Sequence, residues 1–449
     1  MNQINNFHKS QEFRARIHDL VPGGSHTYSK GDDQFPSLSP AAIDHGLGAR
    51  VWDIDGNEYL DCSMGLTSVS LGHAYKPVLD RVKRELDRGV NFQRPSVLEL
   101  EMAQRFVALV PQHDMVKFAK NGSTVTTAAV KLARAATGRK LVGFPGNHPF
   151  YSYDDWFIGS TVVNKGIPEE FGNLSVKFKA CDIESLKAIF KQYPNEIACI
   201  MTEPEKSTCT VDCPCGANPG EFLRQAIDLA HAHGALFIID EMVSGFKTAL
   251  PGSITKYNLP ADMATWGKGI ANGFAFCALT GTKEVMELGG IRNKGAEKVF
   301  LISTTHGAET HAMAAALATI DVFEAGNVIA TNHAMGRKII AECERAFTAA
   351  GLGDCIQVLP AEWLPAFVFR DGKGQPSAGF RTLFMQEMIR RGILFQGIFA
   401  PTPSHTDLDT QQFVSAVTES LQVYRRALSE GYDKYLVGEP TRAVFRKTL

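Results

Sequence analysis

Two rhythms of apolar residues run along the chain. Between about residues 72 and 330, short apolar runs alternate with stretches whose apolar positions recur at helical spacing. The runs Met115–Ala119, Lys140–Phe144, Ile197–Thr202, Ala235–Ile239, Met263–Trp266 and Ala275–Leu279 predict strands. Val125–Thr137, Pro219–His233 and His311–Glu324 predict amphipathic helices. Strands alternating with helices predict an α/β protein built on a largely parallel, helix-covered sheet. Residues 1–70 read as a helix followed by short strands. Within them Arg50–Asp61 is a hairpin signal, two runs joined by Asp55-Gly56-Asn57. After about 330 the pattern becomes mixed α+β, with Phe367–Arg370 extended and Ala378–Arg391 helical. No internal repeat or low-complexity linker marks a domain boundary.

Size and composition narrow the class. A chain of 449 residues exceeds what one hydrophobic core usually serves, so two or three domains are expected. The formal net charge is −2 with 21% charged residues, which gives no reason to invoke nucleic acid or an anionic membrane as a partner. The opening Met-Asn-Gln-Ile-Asn-Asn-Phe-His-Lys has no apolar core of a signal peptide, and no uninterrupted apolar run approaches the roughly 20 residues of a membrane helix. Nine mostly scattered cysteines fit reduced thiols in a cytoplasm. Three of them, Cys209, Cys213 and Cys215, form a C-x3-C-x-C cluster. A structural zinc site usually needs four Cys or His ligands, often in C-x2-C pairs. No second pair follows, although His231 and His233 lie downstream, so the cluster reads as thiols on a surface loop and no metal site is predicted.

The chemistry concentrates in three stretches. Ala235–Glu241 is an apolar run that ends abruptly in a carboxylate, Asp240, and Thr265-Trp-Gly-Lys-Gly269 sets Lys268 between two glycines. Side chains at the carboxyl ends of parallel strands converge on the ligand crevice of an α/β protein. An acid and an amine meeting there suggest pyridoxal phosphate (PLP), the lysine for its aldehyde and the aspartate for its ring nitrogen. An apolar strand ending in Asp-Glu also describes the magnesium-binding segment of a nucleotide hydrolase. That reading requires a G-x-x-x-x-G-K-[ST] loop, and Gly267-Lys268 is followed by Gly269, so it fails. The third stretch, Phe118-Ala-Lys-Asn-Gly-Ser-Thr-Val-Thr-Thr127, runs from strand through a Gly/Ser/Thr turn into a helix. Its helix start and the Ser123 and Thr124 hydroxyls suit a phosphate, and equally describe an ordinary N-cap.

Together these stretches resemble the class III, fold-type I PLP aminotransferases, most closely the glutamate-1-semialdehyde aminomutase-like members. Leu20-Val-Pro-Gly-Gly24, Val51–Asp61, Leu71-Gly-His73, Lys131-Leu-Ala-Arg134 before Thr137-Gly-Arg139, Thr202-Glu-Pro204 and Asp240–Phe246 carry the likeness, which covers about residues 20–425. It implies a large, mostly parallel-sheet PLP-binding domain over 72–328. It also implies a smaller α+β domain formed by both termini, 1–71 and 329–449. The family's phosphate turn falls on Gly122, Ser123 and Thr124, and its ring-nitrogen aspartate on Asp240. The residue beneath the ring falls on Met242, and the aldimine lysine on Lys268. Glu203, in the Glu-Pro pair, is placed at the cofactor. A threonine that reaches the phosphate from the neighbouring subunit matches Thr305, which implies a homodimer with shared active sites. Ser25, His26 and Tyr28 follow the Pro-Gly-Gly stretch that borders the family's substrate cavity.

The departures cluster around the cofactor's surroundings. Where the family usually has Tyr-His-Gly, this chain reads His148-Pro-Phe-Tyr-Ser-Tyr-Asp-Asp-Trp156, leaving ring stacking to His148 or Phe150. Val125 replaces an acidic residue, Lys247 a common arginine, and Glu205–Pro219 differs from what commonly follows Glu-Pro. The resemblance therefore implies transfer of an amino group from a small-molecule donor to a small keto or aldehyde acceptor, such as a sugar or carbocycle. Alternative readings are glutamate-1-semialdehyde aminomutase and a PLP-binding protein without catalysis. Intact Asp240 and Lys268 argue against the last.

Overall fold

The structure, a computed structural model, describes residues 3–147, 150–209, 213 and 218–448. In chain order the strands are β1 (Ile43–Leu47), β2 (Arg50–Asp53), β3 (Glu58–Asp61), β4 (Met115–Ala119), β5 (Leu141–Pro145), β6 (Ser175–Phe178) and β7 (Ile197–Thr202). They continue with β8 (Leu236–Asp240), β9 (Met263–Trp266), β10 (Cys277–Gly281), β11 (Ile356–Val358), β12 (Phe367–Phe369) and β13 (Ile393–Leu394). Two compact units form: residues 1–67, 71–75 and 330–444 make one, and 68–70, 76–329 and 445–449 the other.

The larger unit is organised by a seven-stranded sheet in the order β4-β10-β9-β8-β7-β5-β6. From β9 to β6 every neighbouring pair is parallel, while β10 runs antiparallel to both β4 and β9. Every residue of β5, β7 and β9 is buried, as expected for strands covered on both faces. The helix Gly122–Thr137 packs over β7, β9 and β10. Its buried face, Val125, Ala128, Ala129, Leu132 and Ala133, recurs at helical spacing. Gly138, at φ 68°, ends it with a left-handed cap.

One strand of this sheet escapes the sequence pattern. Ser175–Phe178 is short, lies at the sheet's edge, and buries only Val176 and Phe178. A four-residue alternation of that kind is too weak a signal to separate from a loop.

The smaller unit holds the four-stranded sheet β1-β2-β3-β13 and the pair β11–β12. The hairpin turn at Asp55-Gly56-Asn57 forms because the Asp53 carboxylate accepts the backbone N–H of Asp55 at 3.0 Å and of Asn57 at 2.8 Å. Gly56 supplies the positive φ, 86°, that the turn requires. Asp55 then accepts from the backbone of Lys9 and Ser10, capping the helix His8–Leu20 from outside its own sequence. The core of this unit is aromatic, with Phe367, Phe395 and Phe413 in mutual ring contact among buried aliphatic residues. No single helix among the described residues is long and apolar enough to cross a membrane.

Candidate active site

The larger unit brings together, at one rim of its sheet, residues that lie more than a hundred positions apart in sequence. Asp240 is the last residue of β8 and is 3% exposed. Parallel pairing sets it opposite Thr265 of β9. Its carboxylate accepts a hydrogen bond from Thr265 Oγ1 at 2.8 Å and from the Met242 backbone N–H at 3.0 Å. Burial pushes the Asp240 carboxyl up to about 6, and these two donors together with Lys268 oppose the shift. The result is a carboxylate oriented by neutral donors and poorly hydrated, ready for a cationic partner.

Lys268 opens a short 3₁₀ turn directly after Gly267, with a left-handed φ of 49°. A lysine in that region is strained. Desolvation lowers its ammonium below the ordinary lysine value, while Glu203, Asp240 and Cys277 pull the other way. An amine made less basic is a better nucleophile near neutral pH.

Met242 joins the pieces. A Cβ on Gly267 would fall 2.3 Å from Met242 Sδ and 2.7 Å from Cys277 Sγ. One on Gly122 would fall 3.0 Å from Met242 Cε. Gly267 is therefore required for close approach, Gly122 leaves the Met242 methyl its room, and the thioether touches the Gly122 turn and the lysine turn at once. At Gly122 the helix is capped by Asn121, whose Oδ1 accepts from Thr124 N at 3.0 Å and Thr124 Oγ1 at 3.1 Å. Ser123 and Thr124 thus lie in the first turn rather than at the cap. Ser123 is buried, and its Oγ accepts the backbone N–H of Tyr153 at 3.0 Å.

Glu203 follows β7. Burial first, and Asp240 second, raise its carboxyl to about 7, against the opposing pull of Lys206 and Lys268. The next carboxylate along the rim, Glu241, is fully buried, also raised to about 7 by burial. It accepts from Ser244 Oγ and the Ile254 backbone N–H, which fastens the segment beyond β8.

Of the remaining described residues predicted at the site, Ser25 is half-buried and the others are exposed. Phe150 is half exposed and meets Phe157 edge-on at 6.0 Å. Thr305 is exposed, and its carbonyl accepts from Asn91 Nδ2 at 3.0 Å. Ser25, His26 and Tyr28 belong to the smaller unit. There Ser25 lines a cavity of about 420 Å³ with Arg14, Asp61 and His73, while His26 and Tyr28 are exposed. His148 and Cys215 lie outside the described residues. Two residues were missed by sequence reasoning. Thr265 could be recognised only through its register with Asp240. Tyr151, buried within electrostatic reach of Glu203 and Asp240, was hidden in the aromatic-rich run that begins at His148.

The donor set fits PLP: a buried carboxylate, an amine of lowered basicity, and a helix start bearing hydroxyls, bound together through one methionine. Comparison with known proteins agrees. Over most of its length the fold is that of PLP transaminases of fold type I. The FumI protein of Sphingopyxis sp. MTA144, solved in its PLP internal aldimine form, superposes with a TM-score of 0.84 at 23% identity, covering 96% of this chain and 98% of that one. An omega-transaminase from Sphaerobacter thermophilus gives 0.81 at 22% identity, covering 94% and 100%. The family model for class-III aminotransferases matches residues 36–350, and the chain belongs to that family. A 3-aminobutyryl-CoA aminotransferase of Cloacimonas acidaminovorans is 30% identical over 425 residues, 94% of this chain and 98% of that protein. A glutamate-1-semialdehyde 2,1-aminomutase of Sulfurihydrogenibium azorense is 30% identical over 440 residues, 93% and 100%.

Proposed function

We propose that this enzyme moves an amino group from a small-molecule amine to a small keto or aldehyde acceptor at the Asp240–Lys268 rim, with PLP as its cofactor. The observation that carries the reading is the Asp240 carboxylate, buried and held by Thr265 and the Met242 N–H beside a lysine of lowered basicity. Bound there, PLP supplies an electron sink for charge developing on the substrate carbon.

The chain's own residues do the rest. Asp240 would accept the N–H of the ring nitrogen, its carboxylate oriented by the neighbouring donors. The Lys268 amine would hold the cofactor aldehyde and, when free, would carry protons at Nζ. Gly122, Ser123 and Thr124 would take the phosphate at the helix start. Met242 would pack against the ring, and Glu203 would border it. Ring stacking would fall to His148 or Phe150. The exposed Thr305 would be available to a second subunit's phosphate, which supports a homodimer with shared sites.

Borohydride reduction of the PLP enzyme tests the central assignment. It should fix the cofactor to Lys268, and labelling at another lysine would overturn the proposal. The likeness to the Sulfurihydrogenibium aminomutase supports a second reading, exchange of amino and carbonyl groups within glutamate-1-semialdehyde. Glutamate-1-semialdehyde supplied alone separates the two, because only the mutase converts it to 5-aminolevulinate in quantity.

A further inference from the structure

We propose that Cys181, Cys209 and Cys213 hold a zinc ion that fastens the segment after β7 to the segment after β6. Cys181 lies three residues beyond β6, and Cys209 and Cys213 lie in the stretch leaving β7. Although 28 positions separate Cys181 from Cys209, their sulfurs are 4.0 Å apart, and all three sulfurs lie within 4.8 Å of one another. A tetrahedral zinc–thiolate centre with Zn–S of about 2.3 Å places its sulfurs about 3.8 Å apart, so the cluster needs only slight contraction to meet it.

A further observation supports a ligand role. Lys206 lies within electrostatic reach of Cys209, Cys213 and Glu203. Three thiolates around Zn²⁺ carry a net charge of −1, which the Lys206 ammonium offsets. Soft thiolates in a compact tetrahedral set select zinc over hard, oxygen-seeking cations. The sequence spacing hid the site because its third sulfur comes from a different strand end.

Cys181 is disulfide-bonded, so the metal site is the reduced form of the cluster. A thiol or phosphine reductant supplies the two electrons and two protons that open the disulfide to two thiols. Zn²⁺ then binds the sulfurs of Cys181, Cys209 and Cys213 and displaces their protons to solvent. The fourth coordination position is left to water or another side chain. In the sheet, β5 lies between β7 and β6, so the ion bridges over the end of β5 and steadies the segment that begins at Glu203. Zinc is positioning here, not catalytic.

The test uses the PLP-loaded enzyme purified in the presence of reductant and zinc. Elemental analysis should find one zinc per chain, lost in C181S, C209S and C213S. In the unmodified protein, alkylation mapped by mass spectrometry should find these three thiols protected until a chelator is added, with a fall in Tm on metal removal. Because this second arm needs no variant, a serine substitution that fails to fold does not blunt it. The absorbance of bound PLP should survive chelation, which separates failure here from failure of the cofactor assignment. Absence of stoichiometric zinc, retention of zinc in all three variants, alkylation of the three thiols before chelation, or a Cys181 disulfide that persists under reductant would each overturn the proposal.

Discussion

The ends of β8 and β9 and the ends of β6 and β7 lie along one rim of the same sheet, yet they hold their functional side chains by different means. At β8 and β9 the work is done by strand register and close contact. Asp240 is aimed by its pairing partner Thr265, and Lys268 follows a glycine, Gly267, that Met242 packs against. At β6 and β7 the strands stop before the cysteines are reached, and three sulfurs from two segments gather within 4.8 Å of one another. A position one residue from a strand end inherits the sheet's rigidity. One several residues beyond it needs a cross-link of its own.

Lys268→Ala tests the register side at its most sensitive point. It should lower kcat by roughly 1,000-fold or more, since both the nucleophile and the proton carrier are lost; a stopped-flow half-reaction with an amino donor reads the loss directly. Next in size is Asp240→Asn, which keeps an acceptor for Thr265 and removes the charge. The expected fall in kcat is about 100-fold with the fold intact, measured alongside circular dichroism. Gly267→Ala attacks the close contact. Its Cβ has Met242 Sδ at 2.3 Å on one side and Cys277 Sγ at 2.7 Å on the other. Overpacking of this kind costs about 1–3 kcal/mol, readable as a lower urea midpoint. Met242→Ala in the same chain should recover part of it, and additive losses would show that the methionine is not the obstacle.

The smallest effect concerns pH. The Glu241 carboxyl, at 4.5 in the free residue, is raised to about 7 in the folded chain by burial. The folded state therefore binds a proton that the unfolded state has released. The stability tied to Glu241 is fully present below 4.5 and is lost as pH rises through about 7. Glu241→Gln should flatten that decline in Tm across the interval. An unchanged slope would assign it to Asp240 or Glu203 instead, both of which are raised in the same direction.

What was legible in the sequence follows the same division. Met115–Ala119, Ile197–Thr202 and Met263–Trp266 stand out as mostly apolar runs, broken only by Lys117 and Thr265 in the first and last, and their observed bounds coincide with the runs. Asp240 and Lys268 are visible because each breaks such a run. The direction of β10 is not visible, since an antiparallel strand covered on both faces carries the same apolar run as a parallel one. Thr265 is hidden for a related reason: its partner is set by register, which sequence spacing alone does not specify. Cys181 is hidden because proximity across β5 is a property of strand order, and Phe150 and Tyr151 because adjacent aromatics give no sign of which one turns inward. Tyr151 does so, at 2% exposure, while Phe150 remains 50% exposed.

The reversed strand has a consequence for how the lysine comes to its place during folding. Because β10 runs antiparallel to β9, the segment Gly267–Phe276 leaves and re-enters the sheet at the same rim, with Ala278 paired to Trp266. Closing so short a loop costs far less chain entropy than closing a parallel crossover, and contacts this local form early. Lys268 therefore rides on a hairpin that can be completed before the long-range pairing of β8 with β9 brings Asp240 to meet it.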